Sequence, residues 1–155
     1  QEDSRSSSIS EVVRLTTKMV TGELRKRDCQ LVLEMEPVGE VRGSRTQLGQ
    51  VVLNLLINAL EAMADRYGEK NQIVVRVAPE GDRVKVEIED NGPGMGEEVC
   101  ARVFDPFFTT KHNGGTGLGL AISKKIAESC GGTITVHSER GKGTRFVLIV
   151  PRAIH

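Results

Sequence analysis

Two asparagines, Asn54 and Asn58, stand four residues apart in LNLLINALEAM, with Glu61 one turn further on. Asparagine is a mediocre helix former because its amide competes for backbone hydrogen bonds. A pair inside an apolar helix is therefore either a solvated edge or two stacked amide oxygens with a carboxylate beside them. The second arrangement offers oxygen ligands to a hard cation such as magnesium, which takes few protein ligands and keeps water or phosphate oxygens for the rest. Asp90 closes the alternating run RVKVEIED on the face of Val84, Val86 and Ile88, where a fourth aliphatic residue is expected. A carboxylate aimed inward must be neutralised or hydrogen-bonded. It is either a capping aspartate in an EDNG turn or an acceptor for a ligand amine. Gly92 and Gly94 follow, and without a Cβ they let a flat ligand approach the backbone.

Further on, Gly114, Gly115, Gly117 and Gly119 lead into or open an amphipathic helix. Exposed N–H groups at a helix start attract anions, and glycines let phosphates come close. The stretch matches neither the P-loop spacing, G-x-x-x-x-G-K followed by Ser or Thr, nor the strand-bound G-x-G-x-x-G fingerprint. Any phosphate held there belongs to another scheme. A flexible linker is the alternative, and the helix directly behind the glycines argues against it.

The elements that must position these residues follow from periodicity. Leu48, Val51, Val52, Leu55, Leu56, Ala59, Leu60 and Met63 step as a complete helical core stripe. At roughly 100° per residue, Asn54, Asn58 and Glu61 fall on one line along its border. Before it, Ser8 or Ser10 can cap a helix running to about Arg27, carrying Ile9, Val12, Val13, Leu15, Met19, Val20 and Leu24 at mostly helical spacing. CQLVLEME reads as a strand ending at Pro37, and EVRGS as a short extended lead. IVVRVA and RVKVEIED are strands joined by a turn at PEGD. A helix from about Leu118 to Ser129, with Leu120, Ile122, Ile126 and Ala127 inward, precedes the strands TITVHS and TRFVLIV. This order predicts an α/β sandwich, a mixed sheet with helices on one face.

At 155 residues the chain suits one domain with a full core. The polar opening QEDSRSSS reads as a linker, or the end of a preceding helical domain, over residues 1–8, and residues 9–155 as the domain itself. Lys plus Arg equals Asp plus Glu at 21 each, so no overall field draws the chain to nucleic acid or an anionic membrane. Aromatics at 3% leave no base-stacking platform. Cys29, Cys100 and Cys130 are far apart and odd in number, which favours a reducing cytosol over a disulfide framework or zinc site. No apolar run is long enough to span a bilayer, so no membrane contact is expected of this segment, whether its parent is soluble or tethered.

Together these features make a nucleotide site between helix and sheet, and the sequence resembles the ATP-binding catalytic domain of sensor histidine kinases, in the superfamily shared with gyrase, Hsp90 and MutL. NLLINAL resembles the asparagine box, DNGPGM the first glycine box, FDPFFTTK the phenylalanine box and GTGLGLAI the second glycine box. The likeness runs from about Thr46 to Val150, and PFFTTK before GTGLGL is most similar to the nitrogen-regulation subgroup. It implies a Bergerat-type ATP-binding fold with ATP and Mg2+. On that resemblance Asn58 ligates the magnesium, with Asn54 beside it, and Asp90 accepts from the adenine amino group. Gly92 and Gly94 would pass under the base near Met95, and Thr144 would support Asp90 or an ordered water. Phe107, Phe108, Thr109, Thr110, Lys111, Gly115 and Thr116 would belong to a lid. Thr110 and Lys111 would lie near the phosphates, although Lys111 is equally well a solvated loop lysine, and Gly115, Gly117, Leu118 and Gly119 would donate N–H groups.

Two departures and one gap qualify the likeness. Many family members carry a basic residue where Glu61 stands, and a carboxylate would repel phosphate unless it reaches the metal or its water shell. The hydrolysing relatives use a glutamate at the place of Asn54, whose amide cannot take a proton. That favours transfer to an external nucleophile. His112, His137 and His155 all lie outside the family's acceptor context. The implied partners are therefore a histidine-containing dimerisation domain of the same kinase and a response regulator receiver domain. A nucleotide-dependent interaction module or an anti-sigma-type serine kinase is the alternative within the superfamily.

Overall fold

The computed structural model describes residues 5–66, 68–108 and 118–153. The stripe predicted around the asparagines forms α3 (Arg45–Ala62), capped by Ser44, whose hydroxyl accepts from the Gln47 N–H at 3.1 Å. Every residue of that stripe from Leu48 to Met63 is buried. Burying one such aliphatic side chain contributes about 1.5–3 kcal/mol, so the stripe fixes the helix rotation and with it the asparagine edge.

The stripe packs on a five-stranded sheet of β2 (Cys29–Met35), β4 (Asn71–Glu80), β5 (Arg83–Asp90), β6 (Thr133–Glu139) and β7 (Gly143–Pro151). The spatial order is β2-β4-β5-β7-β6. Only β2 and β4 pair in parallel, and α3 lies in the crossover that such a pair requires. Alternation decides the faces. Val84, Val86, Ile88 and Asp90 of β5 lie beside Val150, Leu148, Phe146 and Thr144 of β7, all buried. The opposite face carries charge: Glu87 meets Arg145 at 3.0 Å, Arg76 at 3.5 Å and Lys85 at 3.6 Å. Helices α1 (Ile9–Met19) and α5 (Gly119–Ser129) flank α3, completing one helical layer over one sheet face.

Three expectations change. The first helix does not run to Arg27. It breaks at Val20, ahead of Thr21 and Gly22, and resumes as α2 (Thr21–Lys26). Its inward face uses Thr16 and Thr17, whereas Leu15 and Met19 are 45% and 69% exposed. The threonine hydroxyls satisfy themselves on the Val12 and Arg14 carbonyls, so their aliphatic bodies can be buried without cost in hydrogen bonds. In α5 Ile122 likewise faces outward and Ser123 is fully buried. Finally, Ser6–Ser8, assigned to the polar opening, form β1, which pairs antiparallel with β3 (Glu40–Arg42). Ser8 is also the cap of α1, accepting from Glu11.

Candidate functional site

The carboxylate at the end of β5 is 3% exposed, as the strand period requires. Its Oδ1 accepts from the Gly92 N–H at 2.8 Å. Burial pushes the Asp90 carboxyl up to about 6, against the opposing pull of the Gly92 and Thr144 backbone N–H groups and the Arg66 guanidinium. Glu89 adds to the upward shift. This is a proton acceptor group held where its charge is poorly solvated, a state that favours a ligand donor over none.

Gly92 joins this rim to the asparagine helix. A Cβ there would stand 2.9 Å from Asp90 Oδ1 and 3.3 Å from the Ala62 Cβ at the last residue of α3. Gly94 turns the chain with φ of +74°, and a Cβ on it would sit 2.0 Å from the Glu139 carbonyl oxygen. No larger residue fits, which is why the loop lies flat against the β6–β7 hairpin. Met95 is partly buried on the core, and its N–H donates to Ser138 Oγ at 2.8 Å.

Thr144 is buried, but its hydroxyl pairs with Ser138 Oγ at 2.8 Å, and it is the backbone N–H of Thr144 that acts on Asp90. Toward Asp90, the support expected of Thr144 comes from its main chain. Ser138 escaped the sequence reading, and its position two residues after Val136 on the inward face of β6 was the available signal. It also donates to the Gly143 carbonyl at 2.9 Å, tying loop, hairpin and Thr144 together.

Asn54, Asn58 and Glu61 are all half-buried, at the border of the stripe. The amide nitrogen of Asn54 donates to the Gly119 carbonyl at 3.0 Å and to Ser123 Oγ at 3.1 Å. Both its hydrogens are thereby used, so only the carbonyl oxygen remains to meet a further partner. Ser123, a second residue missed in the sequence, was hidden because a serine one step from Ile122 gives no apolar signal. Through this tie the first asparagine of α3 and Gly119, with Leu118 as the cap of α5, form one cluster.

The phenylalanines separate. Phe104 packs edge-on to Phe146, centroids 6.0 Å apart at 80°. Phe108 lies under the Arg102 guanidinium at 4.6 Å. Phe107 is 73% exposed at φ of +66°, a left-handed conformation that costs a non-glycine residue about 1–2 kcal/mol. Thr109, Thr110, Lys111, His112, Gly115, Thr116, Gly117 and His155 lie outside the described residues. His137 is exposed on β6.

Residues 43–154 match the family described as histidine kinase-, DNA gyrase B-, and HSP90-like ATPase. The sensor histidine kinase ZraS of Escherichia coli (strain K12) is 35% identical over 144 residues, covering 92% of this chain and 30% of that protein. The nucleotide-free catalytic domain of histidine kinase ThkA superposes with a TM-score of 0.84 at 30% identity, covering 98% of this chain and 97% of that one. ThkA in complex with response regulator protein TrrA matches with a TM-score of 0.78 at 30% identity, covering 96% of this chain and 41% of that one. This chain thus spans less than a third of ZraS and nearly all of the ThkA catalytic domain.

Proposed function

Because the chain belongs to the histidine kinase-, DNA gyrase B- and HSP90-like ATPase family, we propose that it works as the ATP-binding catalytic domain of a sensor histidine kinase. It would present the γ-phosphoryl of Mg-ATP to a histidine on a dimerisation domain. The observation that carries this reading is the buried Asp90 carboxylate, set where Gly92 abuts the end of the asparagine helix. An acceptor for an amine then stands at the sheet end of α3, and amide side chains stand along its edge.

In this reading Asp90 accepts from the adenine amino group, with Gly92, Gly94 and Met95 lining the base. Asn58 ligates magnesium through its amide oxygen, a fitting ligand type for that hard ion, and Asn54 stands beside it with its nitrogen held by the Gly119 carbonyl and Ser123 Oγ. Bound there, magnesium would neutralise charge on the phosphate oxygens. Gly115, Gly117, Leu118 and Gly119 would donate N–H groups to phosphate, with Thr110 and Lys111 nearby and Phe107, Phe108, Thr109 and Thr116 in the covering segment. The chain's own part in transfer is positioning and charge complementation, so that an imidazole nitrogen meets the γ-phosphoryl in line. Residues 9–155 would be the domain and residues 1–8 a linker or the end of a preceding helical domain, its Ser6–Ser8 stretch pairing with β3. A response regulator receiver domain would then take the phosphoryl group. A cytoplasmic setting fits three cysteines that are all free thiols.

Mixing the chain with its separately produced histidine domain and γ-labelled ATP tests this. Acid-labile, base-stable label on the histidine domain is the expected result. Label on a serine, or free phosphate alone, overturns it.

A further inference from the structure

Asn91, between Asp90 and Gly92, is engaged at all four of its polar atoms by one segment, residues 66–72. Its N–H donates to the Gln72 carbonyl at 3.3 Å, and its Oδ1 accepts from the Gln72 N–H at 2.8 Å. Its Nδ2 donates to the Lys70 carbonyl at 2.6 Å. The Arg66 guanidinium donates to its backbone carbonyl. The first three bonds prolong the β4–β5 ladder past Asp90. The fourth differs in kind, because it brings a cation from the loop after α3 onto the peptide between Asn91 and Gly92.

Arg66 is itself held. Its own carbonyl accepts at 3.3 Å from Asn71 Nδ2, which also donates to the Arg27 carbonyl at 2.9 Å, and Asn71 is 4% exposed. Its second terminal nitrogen lies 3.4 Å from Glu69, a weak and exposed pairing that leaves the Asn91 carbonyl as the stronger partner. The guanidinium is near enough to Asp90 to favour its ionised form. A residue serving only the hairpin would have no need of a charge aimed at this peptide, since the ladder already closes with Gln72 and Lys70.

We propose that Arg66 is a positioning residue for adenine recognition: by gripping the Asn91 carbonyl it fixes the Asn91–Gly92 peptide, whose N–H orients the Asp90 carboxylate. The inference rests on the reading that Asp90 accepts from the adenine amine. A small rotation of that peptide would swing the acceptor oxygen away from the donor while leaving the apolar walls in place. Arg66 then governs selectivity for the 6-amino group more than affinity for nucleotide as such.

Calorimetry with ATP and with purine riboside triphosphate, which lacks the 6-amino group, separates the two effects. The unmodified chain is expected to prefer ATP. Arg66→Met should lose about tenfold in ATP affinity, the scale of one charged hydrogen bond, and less than about twofold for the purine analogue. Arg66→Lys should recover part of the preference. Equal losses for both nucleotides, or no loss, overturn the proposal. Should Arg66→Met not fold, Arg66→Gln, which keeps a neutral donor of shorter reach toward the Asn91 carbonyl, is expected to show a selective loss in the same direction, and an unchanged ratio there overturns the proposal. If the unmodified chain binds both nucleotides equally, the adenine role of Asp90 fails first, an outcome distinct from loss of the Arg66 effect.

Discussion

Replacing Asp90 by asparagine should make the nucleotide-free domain gain stability relative to the unmodified chain as the pH rises to neutrality and, on the role proposed for Asp90, should remove selection for adenine. The carboxyl is pushed up to about 6 in the folded protein, mainly by burial, against about 3.9 in an unfolded chain. A carboxyl with a raised folded-state pKa binds its proton more tightly when native. Its contribution is therefore present in full below about pH 4 and is lost as the pH rises through about 6. Two pKa units at about 1.4 kcal/mol each make that loss about 3 kcal/mol. Among the neighbours, Arg66 opposes the shift and Glu89 assists it, while the Cys29 thiol, itself raised to about 11, stays neutral throughout the window.

Asparagine is nearly isosteric, keeps an oxygen for the Gly92 N–H at 2.8 Å, and does not titrate. Its extra amide hydrogens need acceptors, but that cost is the same at every pH. The quantity to read is therefore the slope. The stability of Asp90→Asn relative to the unmodified chain should grow by about 3 kcal/mol between pH 4 and pH 7.5, or about 6–12 °C in melting temperature for a domain of this size. Urea unfolding at a series of pH values measures it. A difference that stays flat from pH 4 to pH 7.5, or that shrinks, refutes the burial of an ionisable group at this point. ATP binding to the unmodified chain should strengthen through the same window, because an amine donor favours the ionised carboxylate.

Asn58→Ala should abolish the magnesium dependence of nucleotide binding, and a calorimetric affinity with unchanged response to magnesium would discard its role as ligand. Gly143→Ala should cost about 3 kcal/mol or more, since φ there is +89° and a Cβ would sit 2.0 Å from the Asp90 carbonyl. Gly141→Ala, at φ +84° with nothing within 4 Å, should cost only about 1–2 kcal/mol. Comparable unfolding midpoints for the two variants would refute the close approach of the hairpin to Asp90.

What the sequence revealed and what it hid divide along the range of the interactions. The α3 stripe was legible because eight apolar residues at helical steps leave one rotation open, and the asparagine edge follows from it. Asp90 was legible because a strand period of two assigns faces without knowing the neighbours. The inward face of α1 was not, since Leu15 and Met19 compete with Thr16 and Thr17 and only packing against α3 decides between them. Ser123 and Ser138 were hidden for a related reason. Each is a small polar residue whose value lies in a partner far along the chain, 69 residues away for Asn54 and 43 for Met95. The Arg66 contact with Asn91 is of the same sort, crossing 25 residues to meet a backbone carbonyl that no side-chain pattern announces.

The tie at Asn54 bears on the kind of chemistry proposed for this site. Its nitrogen donates both hydrogens, one to the carbonyl of Gly119 and one to a hydroxyl, Ser123, that is fully buried. A glutamate at this position, as in the hydrolysing relatives, would set a carboxylate toward a carbonyl oxygen with no hydrogen between them, and only the hydroxyl could turn to donate. Such an acid would have to leave the α3–α5 contact to act as a base, and α5 would lose the hydrogen bonds that register it on α3. An amide resolves the conflict by anchoring the helix and withholding a proton acceptor from water. On the proposed reading, the contact that holds Gly119 against α3 also places no base at position 54, as transfer to a nucleophile brought from outside would require.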